Sequence, residues 1–522
     1  MKTSLSRKAW ANLGFNMFIC LCIAQAVSMR WTGLDPQSLF LDDQWVACLL
    51  KLGGPGAVLE IGAPTPLGFV LLTQGASSLS ADPEWPLQVV PFACSLLLIP
   101  LMGLLAWRVT SSVVLGCLAA VILTFSPDVN LYSLRVKQYM LECAATLAIL
   151  LLAERWSRTR RVREYAALAF AALVLFLFSF SAVLVGFVAV NILYLAKWKN
   201  DRTGRDRSQY LLICLGYNMV LFAAWKLLVQ QQGDQAANTF WLEYFLPMDS
   251  LARAWNFFTH TGIRFFTGVL PAQFSWVVLL APLGLGVLAF KRRTRLYGLL
   301  CGLLVAEPWV LSALHMYPVG RGRMDIFSYP ATILCLVSAF LLIPGSKCRT
   351  VFSLAGTGLL CIALLDGYNG QGYHYFNNED KSLVEYLNNN IAPQDALVIY
   401  PQAQWAVGYY GKWPITAAHT EYFNNKFVVA PVREHTLLLP GGKDGIPYLE
   451  APEMFEPDLR EFLREPCETL YFIATNQPPH VEERILSAIA KAKPVKDMQL
   501  YRARNRAVLY KIRFEQTGTA AE

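Results

Sequence analysis

Charge is scarce in this sequence. Asp, Glu, Lys and Arg together make up 16% of its 522 residues, where soluble domains carry about 25%. Mean hydropathy is +0.37. This shortage excludes an ordinary soluble globular protein and puts the chain in the membrane class. Histidine is scarcer still: six residues, scattered without metal-ligand spacing, which argues against a His-based metal site. No two cysteines show C-x-x-C spacing. Most of the twelve lie inside apolar runs, where a cysteine behaves as a small buried hydrophobe. Only Cys48 and Cys467 fall in stretches read below as extracytoplasmic, and whether they pair is left open. The stretch 367–522 holds neither G-x-G-x-x-G nor G-x-x-x-x-G-K, so no nucleotide site is expected there. There is no solenoid repeat or low-complexity tract. No small-residue cleavage site follows the first apolar run, Ala9 to Met29, which is too long for a signal h-region and reads as a retained first helix.

What the chain does have is a series of apolar runs near the ~20 residues that cross a bilayer. Eleven spanning helices are expected, at about 9–29, 87–107, 112–126, 139–153, 165–180, 182–196, 210–229, 275–290, 296–314, 327–343 and 350–366. The pair at 165–180 and 182–196 forms a hairpin around "SFS". The apolar stretch Pro64 to Leu79 is shorter and reads as an interfacial or re-entrant helix. Charge supports leaving it out of the spans. With eleven, the loops on the N-terminal side hold twenty Lys and Arg in roughly 48 residues. The opposite loops, about 30–86, 127–138, 230–274 and 315–326, hold eight in roughly 126. By the positive-inside rule the N-terminus is cytoplasmic and the last 155 or so residues are outside. The net charge of +8 therefore reads as topology and not as a nucleic-acid footprint.

The polar C-terminal stretch, about 367–522, reads as a small α/β domain. "DKSLVEYLNNNI" has the period of an amphipathic helix. "DALVIYP" and "ETLYFIAT" read as short buried strands, and "MQLYRA" with "AVLYKIRF" as a closing hairpin. The domain division is thus 1–366, in the membrane, and 367–522, outside it.

Three outside loops carry the candidate chemistry. The first, about 57 residues long, holds the adjacent acids Asp42 and Asp43 in "QSLFLDDQWVA", flanked by Trp31, Phe40 and Trp45, which suit the membrane interface. A loop carboxylate is a solvated surface group or, oriented toward a hydroxyl, a general base. The second reads "SPDVNLYSLRVKQYMLECA" and holds Arg135, Lys137 and, at the start of the next helix, Glu142. Glu142 is either a functional intramembrane acid or the partner of Lys137 or Arg135. The fourth reads "LHMYPVGRGRMDIFSYP". Arg321 and Arg323, separated by glycine after a turn, suit bidentate phosphate binding or contact with lipid headgroups. All three converge on the outer face, which fits an acceptor that must lose a proton and a leaving group that carries charge.

These elements resemble those of the GT-C superfamily of integral-membrane glycosyltransferases. "SLFLDDQWVA" is similar to the superfamily's S-L-W-x-D-E element after the first helix, and "YSLRVKQYMLE" to its second-loop E-x-K-x-Y-x-x-D/E pattern. "YPVGRGRMDIFSYP" resembles the late Y-P-x-G-x-R-x-x-x-F-x-x-P element, and "DKSLVEYLNNNIAPQDALVIYPQAQWAVGYYG" the start of the extracytoplasmic tail. The likeness covers most of the chain in order, and family-39 type members are the nearest in kind. It implies a polytopic α-helical GT-C fold with a C-terminal α/β domain. It also implies an inverting hexosyl- or pentosyltransferase that uses a polyprenyl-phosphate-linked sugar and a glycan, lipid or protein acceptor. Asp42 matches the catalytic aspartate, Asp43 its neighbouring acid, Glu142 the second-loop acid and Arg323 the late arginine, with Arg321, Lys137 and Arg135 at the donor phosphate. Arg135 stands where relatives often have an acid, which argues against a divalent metal bridging the two loops and for phosphate binding instead. The implied place is the bacterial inner membrane, in contact with membrane lipid and without nucleic acid. Two other classes stay open: a transporter or flippase of lipid-linked glycans, disfavoured by the lack of internal symmetry, and a non-catalytic envelope assembly factor.

Overall fold

A computed structural model describes residues 7–31, 34, 39–63, 65–80, 84–200, 207–228, 244–262, 268–270, 272–320, 323–345, 347–348, 350–351, 353–358, 380–419, 427–439, 455–475, 479–503 and 507–515. The membrane part is built from α1 (Arg7–Trp31), α5 (Trp85–Thr110), α6 (Val113–Phe125), α8 (Tyr139–Thr159), α9 (Val162–Phe176), α10 (Ala182–Asn200) and α11 (Arg207–Leu228). It continues with α13 (Ala281–Phe290), α14 (Arg295–Ala313) and α15 (Tyr329–Ala339). Ten of the eleven expected spans fall on these helices and the short 3₁₀ turns that extend them; the last is helical where described, up to residue 358, and 359–366 lie outside the described residues. Among the described residues five helices are long and apolar enough to cross a membrane, and four apolar segments are shorter. The protein is a multi-pass membrane protein.

The helices share one apolar core running from Phe15 to Leu341. Close approach depends on small residues: a Cβ on Gly284 of α13 would lie 1.7 Å from the Cys335 carbonyl oxygen of α15. Arg30, buried near the end of α1, fixes that end of the bundle. Its Nε donates to Asn130 Oδ1 and its Nη1 to Ser95 Oγ, both at 2.8 Å. That ties α1 to α5 and to α7 (Pro127–Tyr132), the short helix that leads into Arg135 and Lys137.

The segment between α1 and α5 is more ordered than a loop. It folds into α2 (Leu41–Lys51), α3 (Pro55–Ile61) and α4 (Leu67–Ser77). Only α4 was legible as a helix. It buries Phe69, Val70 and Ala76 and leaves the apolar Leu71 and Leu72 exposed, so apolar side chains lie on both its buried and its open side. Cys48 and Cys467 are both free thiols, so the open question of a pair is answered in the negative.

The C-terminal part has a five-stranded sheet in the order β4-β1-β5-β7-β6, where β1 is Ala396–Ile399, β4 Thr436–Leu438, β5 Thr469–Ala474, β6 Val495–Arg502 and β7 Val508–Phe514. Strand β1 is parallel to β4 and β5; β7 is antiparallel to β5 and β6. A separate antiparallel pair joins β2 (Ile415–His419) and β3 (Phe427–Pro431). The first amphipathic helix, the two buried strands and the closing hairpin lie where the pattern predicts them; β2, β3 and β4 were not foreseen. The run after β1 becomes the helix α17 (Gln404–Tyr410), preceded by α16 (Asp380–Asn390), with α12 (Leu251–Phe257), α18 (Glu456–Phe462) and α19 (Pro479–Ala492) completing the described α-helices named here. Helix α17 packs on α2. Cys48, Leu49, Ala57, Val58, Val70, Trp405 and Val429 form a core between them. Lys51 Nζ, at the far end of α2, donates to the carbonyls of Gly408 at 2.9 Å and Gly411 at 3.0 Å.

Candidate active site

Helix α2 starts at Leu41 behind an uncapped Phe40, so Asp42 and Asp43 occupy its first turn. Acids are favoured there by the helix dipole. Consecutive residues of a helix point about 100° apart, and the two carboxylates accordingly meet different cations. Asp43 turns inward: its side chain is 3% exposed. Its Oδ2 accepts from Arg135 Nε at 2.8 Å and its Oδ1 from the Val136 amide at 3.0 Å. Asp42 turns to the open side, and its Oδ2 accepts from Arg323 Nη1 at 2.6 Å, with the two side chains 25% and 20% exposed. The second-loop and late-loop cations thus take one aspartate each.

Two aromatic rings expected at the membrane interface serve the site instead. The Arg135 guanidinium lies 4.0 Å from the centre of the Phe40 ring, and Lys137 Nζ 4.4 Å from that of Trp45. A ring face attracts a desolvated cation, so both rings steady charges that the aspartates need. Trp31 does stay exposed.

Burial and charge set the titration of these groups. Burial pushes the Asp42 carboxyl up, but Lys137, Arg323 and Arg135 together outweigh it and hold the group below the ordinary aspartate value. For Asp43 burial outweighs the pull of Arg135, and its carboxyl rises. Burial pushes the Lys137 ammonium down to about 8, against the pull of Asp42 and Asp43.

The late loop owes its shape to Gly320. Its φ is +88°, and a Cβ there would lie 1.7 Å from Thr261 Cγ2. Its amide donates to Oδ2 of the buried Asp325 at 2.6 Å, and Tyr317 Oη donates to the Met324 carbonyl at 2.6 Å. These bonds hold the turn from which Arg323 reaches Asp42. Arg321 lies outside the described residues.

Glu142 is not part of this cluster. It is buried in the first turn of α8 and bonds Gln138, not Lys137 or Arg135, which face the aspartates of α2. The next residue shows what holds that turn: Cys143 Sγ donates to the Ile326 carbonyl at 2.8 Å. Sequence reasoning missed Asp128, whose carboxylate accepts from Tyr329 Oη, and Tyr132, which packs edge-on to Tyr139 at 5.0 Å.

Among the described residues no group of three or more His, Cys, Asp or Glu is placed to hold a metal ion. Asp43, the acid nearest the second loop, is neutralised by Arg135. These residues do not fit a divalent ion bridging the two loops, and no step below is routed through one. What they do offer is an ionised carboxylate on the open side, with a guanidinium and an ammonium beside it.

No protein-family model matches the chain, and no curated protein sequence does. Solved structures are similar to it. ArnT from Cupriavidus metallidurans in the apo state has a TM-score of 0.57 at 11% identity, over 95% of this chain and 98% of that one. ArnT bound to undecaprenyl phosphate has a TM-score of 0.56 at 12% identity, over 94% and 97%. The archaeal oligosaccharyltransferase AglB from Archaeoglobus fulgidus, in complex with an inhibitory peptide and a dolichol-phosphate, has a TM-score of 0.53 at 12% identity, over 98% and 75%. The chain has the GT-C fold. In this fold the elements that approach one another at the site are the start of α2, the segment after α7 and the turn at Gly320.

Proposed function

We propose that the protein is a membrane glycosyltransferase that moves a sugar from a polyprenyl-phosphate carrier to a hydroxyl of an extracytoplasmic glycan, lipid or protein, with inversion. The observation that carries this reading is the pair Asp42–Arg323 on a GT-C fold: a carboxylate able to take a proton, 2.6 Å from a guanidinium able to hold a phosphate. Two neighbours with that fold were solved with undecaprenyl phosphate and dolichol-phosphate bound. In this reading residues 1–366 form the membrane catalytic part and 367–522 an extracytoplasmic α/β part, in the inner membrane of a bacterium with the N-terminus inside.

The two roles compete in the ligand-free chain, because Arg323 is engaged by Asp42. The arriving phosphate takes Arg323, with Lys137 beside it. Asp42, relieved of a cation that lowers its basicity, becomes the stronger base. It takes the proton of the acceptor hydroxyl, and the oxygen attacks the anomeric carbon. The bond from that carbon to the phosphate oxygen breaks, and polyprenyl phosphate leaves with the electron pair. Arg323 and Lys137 stabilise the charge that develops. Asp43, locked to Arg135 and the Val136 amide, holds the second loop against α2. Glu142 bonds Gln138, and no step here uses it.

The test of donor class is transfer by the purified protein with polyprenyl-phosphate sugar and nucleotide sugar offered separately, and membranes of a deletion strain as acceptor. Transfer from the lipid-linked sugar is expected. Transfer from the nucleotide sugar alone would overturn the reading.

A further inference from the structure

Besides the packing of α17 on α2, the C-terminal part also reaches the chain that enters α2. The chain entering α2 is held at both backbone groups of Leu39, a buried residue. Its amide donates to Tyr410 Oη at 2.7 Å, and its carbonyl accepts from Gln44 Nε2 at 2.7 Å. The same Gln44 amide donates to Oδ2 of Asp380 at 3.2 Å, and both side chains are fully buried. One residue on, Lys381 Nζ pairs with Glu84 at 2.9 Å. Tyr410 closes α17 and Asp380 opens α16. Gln44 directly follows the two aspartates.

Helix α2 has no side-chain cap on its first turn. Without one, a helix end frays unless something else takes its free groups. Here Tyr410 and Asp380 brace that end from more than 330 residues away: Tyr410 holds the amide of Leu39, just before the first turn, and Asp380 holds the Gln44 side chain, which bonds back to the Leu39 carbonyl. The turn they fix is the one that carries Asp42. Small displacements of a reacting group are costly to its function, and a group held through hydrogen-bonded neighbours is displaced when they are lost.

We infer that Tyr410 and Asp380 are positioning residues: through Leu39 and Gln44 they clamp the first turn of α2 and aim Asp42 at Arg323. This rests on the proposed function, since it gives the C-terminal part the task of setting the base. A merely structural role would change stability without touching the Asp42–Arg323 pair. The two are separated by a binding cycle on the full-length purified protein, with undecaprenyl phosphate as the probe.

Loss of the clamp loosens Asp42 from Arg323 and leaves the guanidinium freer for phosphate. Tyr410→Phe and Asp380→Leu, each of which removes the acceptor, should each bind undecaprenyl phosphate about threefold tighter than the unaltered chain. In an Asp42→Asn background the same substitutions should have no effect, because the group they position is already neutral. Lys51→Met, which removes bonds at the other end of α2, is the structural comparison and should leave affinity unchanged whatever it does to Tm. Unchanged or weaker binding in both clamp variants overturns the inference. So does an equal change in both backgrounds, since the effect would then not run through Asp42. Failure of the proposed function has a different signature: Arg323→Ala would bind the probe as the unaltered chain does.

Discussion

Replacing Asp42 by Asn should abolish transfer and at the same time tighten donor binding. The structure makes the second effect necessary if the phosphate uses Arg323. Asp42 Oδ2 and Arg323 Nη1 are 2.6 Å apart, with both side chains about three-quarters buried. Exposed ion pairs contribute about 0.2–1 kcal/mol, and hydrogen bonds to charged groups about 1.5–3 kcal/mol. Asn keeps the shape and one neutral acceptor, so only the charge part of the pair is lost, roughly 1 kcal/mol, the top of the first range and below the second. At about 1.4 kcal/mol per tenfold, undecaprenyl phosphate should bind about fivefold tighter. Transfer should fall by at least about a hundredfold, within the range for loss of a general base. Titration of the purified protein with undecaprenyl phosphate in detergent, beside a transfer assay on the same preparation, gives both numbers. Weaker binding would refute competition for Arg323. Retained transfer would refute the base.

Arg323→Ala should weaken undecaprenyl phosphate binding and Arg323→Lys should restore it only in part, because a point charge does not reproduce a two-pronged fork; full rescue by Lys would contradict a bidentate contact. Lys137 carries its charge below about 8 and loses it above. Binding should therefore weaken as pH rises through that value in the unaltered chain and stay flat there in Lys137→Met, as titrations at several pH values would show. Gly320→Ala should lower Tm and disable donor binding together, since φ is +88° and the new Cβ would lie 1.7 Å from Thr261 Cγ2. Of two introduced cysteines, one at exposed Asp497 should react with a membrane-impermeant thiol reagent in intact cells and one at exposed Arg292 should not, against a background corrected for native cysteines. The reverse pattern would invert the topology.

Much of the fold could be read from the chain because a membrane helix writes its period and length into a local window. The runs that became α1, α5, α10, α11 and α14 needed only twenty or so contiguous residues each. In the C-terminal part "DALVIYP" and "ETLYFIAT" were legible for the same reason: β1 and most of β5 are buried on both faces and read as short apolar runs. Strand β4 is only three residues, Thr436–Leu438, and β2 reads "ITAAH" without alternation, so neither leaves a signal of its own. Helices α2 and α3 are 11 and 7 residues long and broken by Gly53 and Gly54, too short for a window to find. The same limit applied to the site. Asp42 and Asp43 stood out as neighbours in one segment. Which cation each would meet did not, because Asp42 and Arg323 are 281 positions apart and Asp43 and Arg135 are 92. Phe40 and Trp45 were read as interface aromatics; the cations stacked on them come from another loop. Tyr410 and Asp380 carried no signal at all, since their importance lies in where two distant parts of the chain touch.

The most direct test of transfer itself is mass spectrometry of surface glycans and glycoproteins from three strains of the parent organism: unaltered, deleted for this protein, and carrying Asp42→Asn at normal expression. The deletion and the Asp42→Asn strain should lack the same sugar, identified by one mass difference on one class of acceptor, and the unaltered gene should restore it. A deletion strain that loses the sugar beside an Asp42→Asn strain that keeps it would contradict the account, and would leave the protein a role in envelope assembly that needs its presence but not its carboxylate.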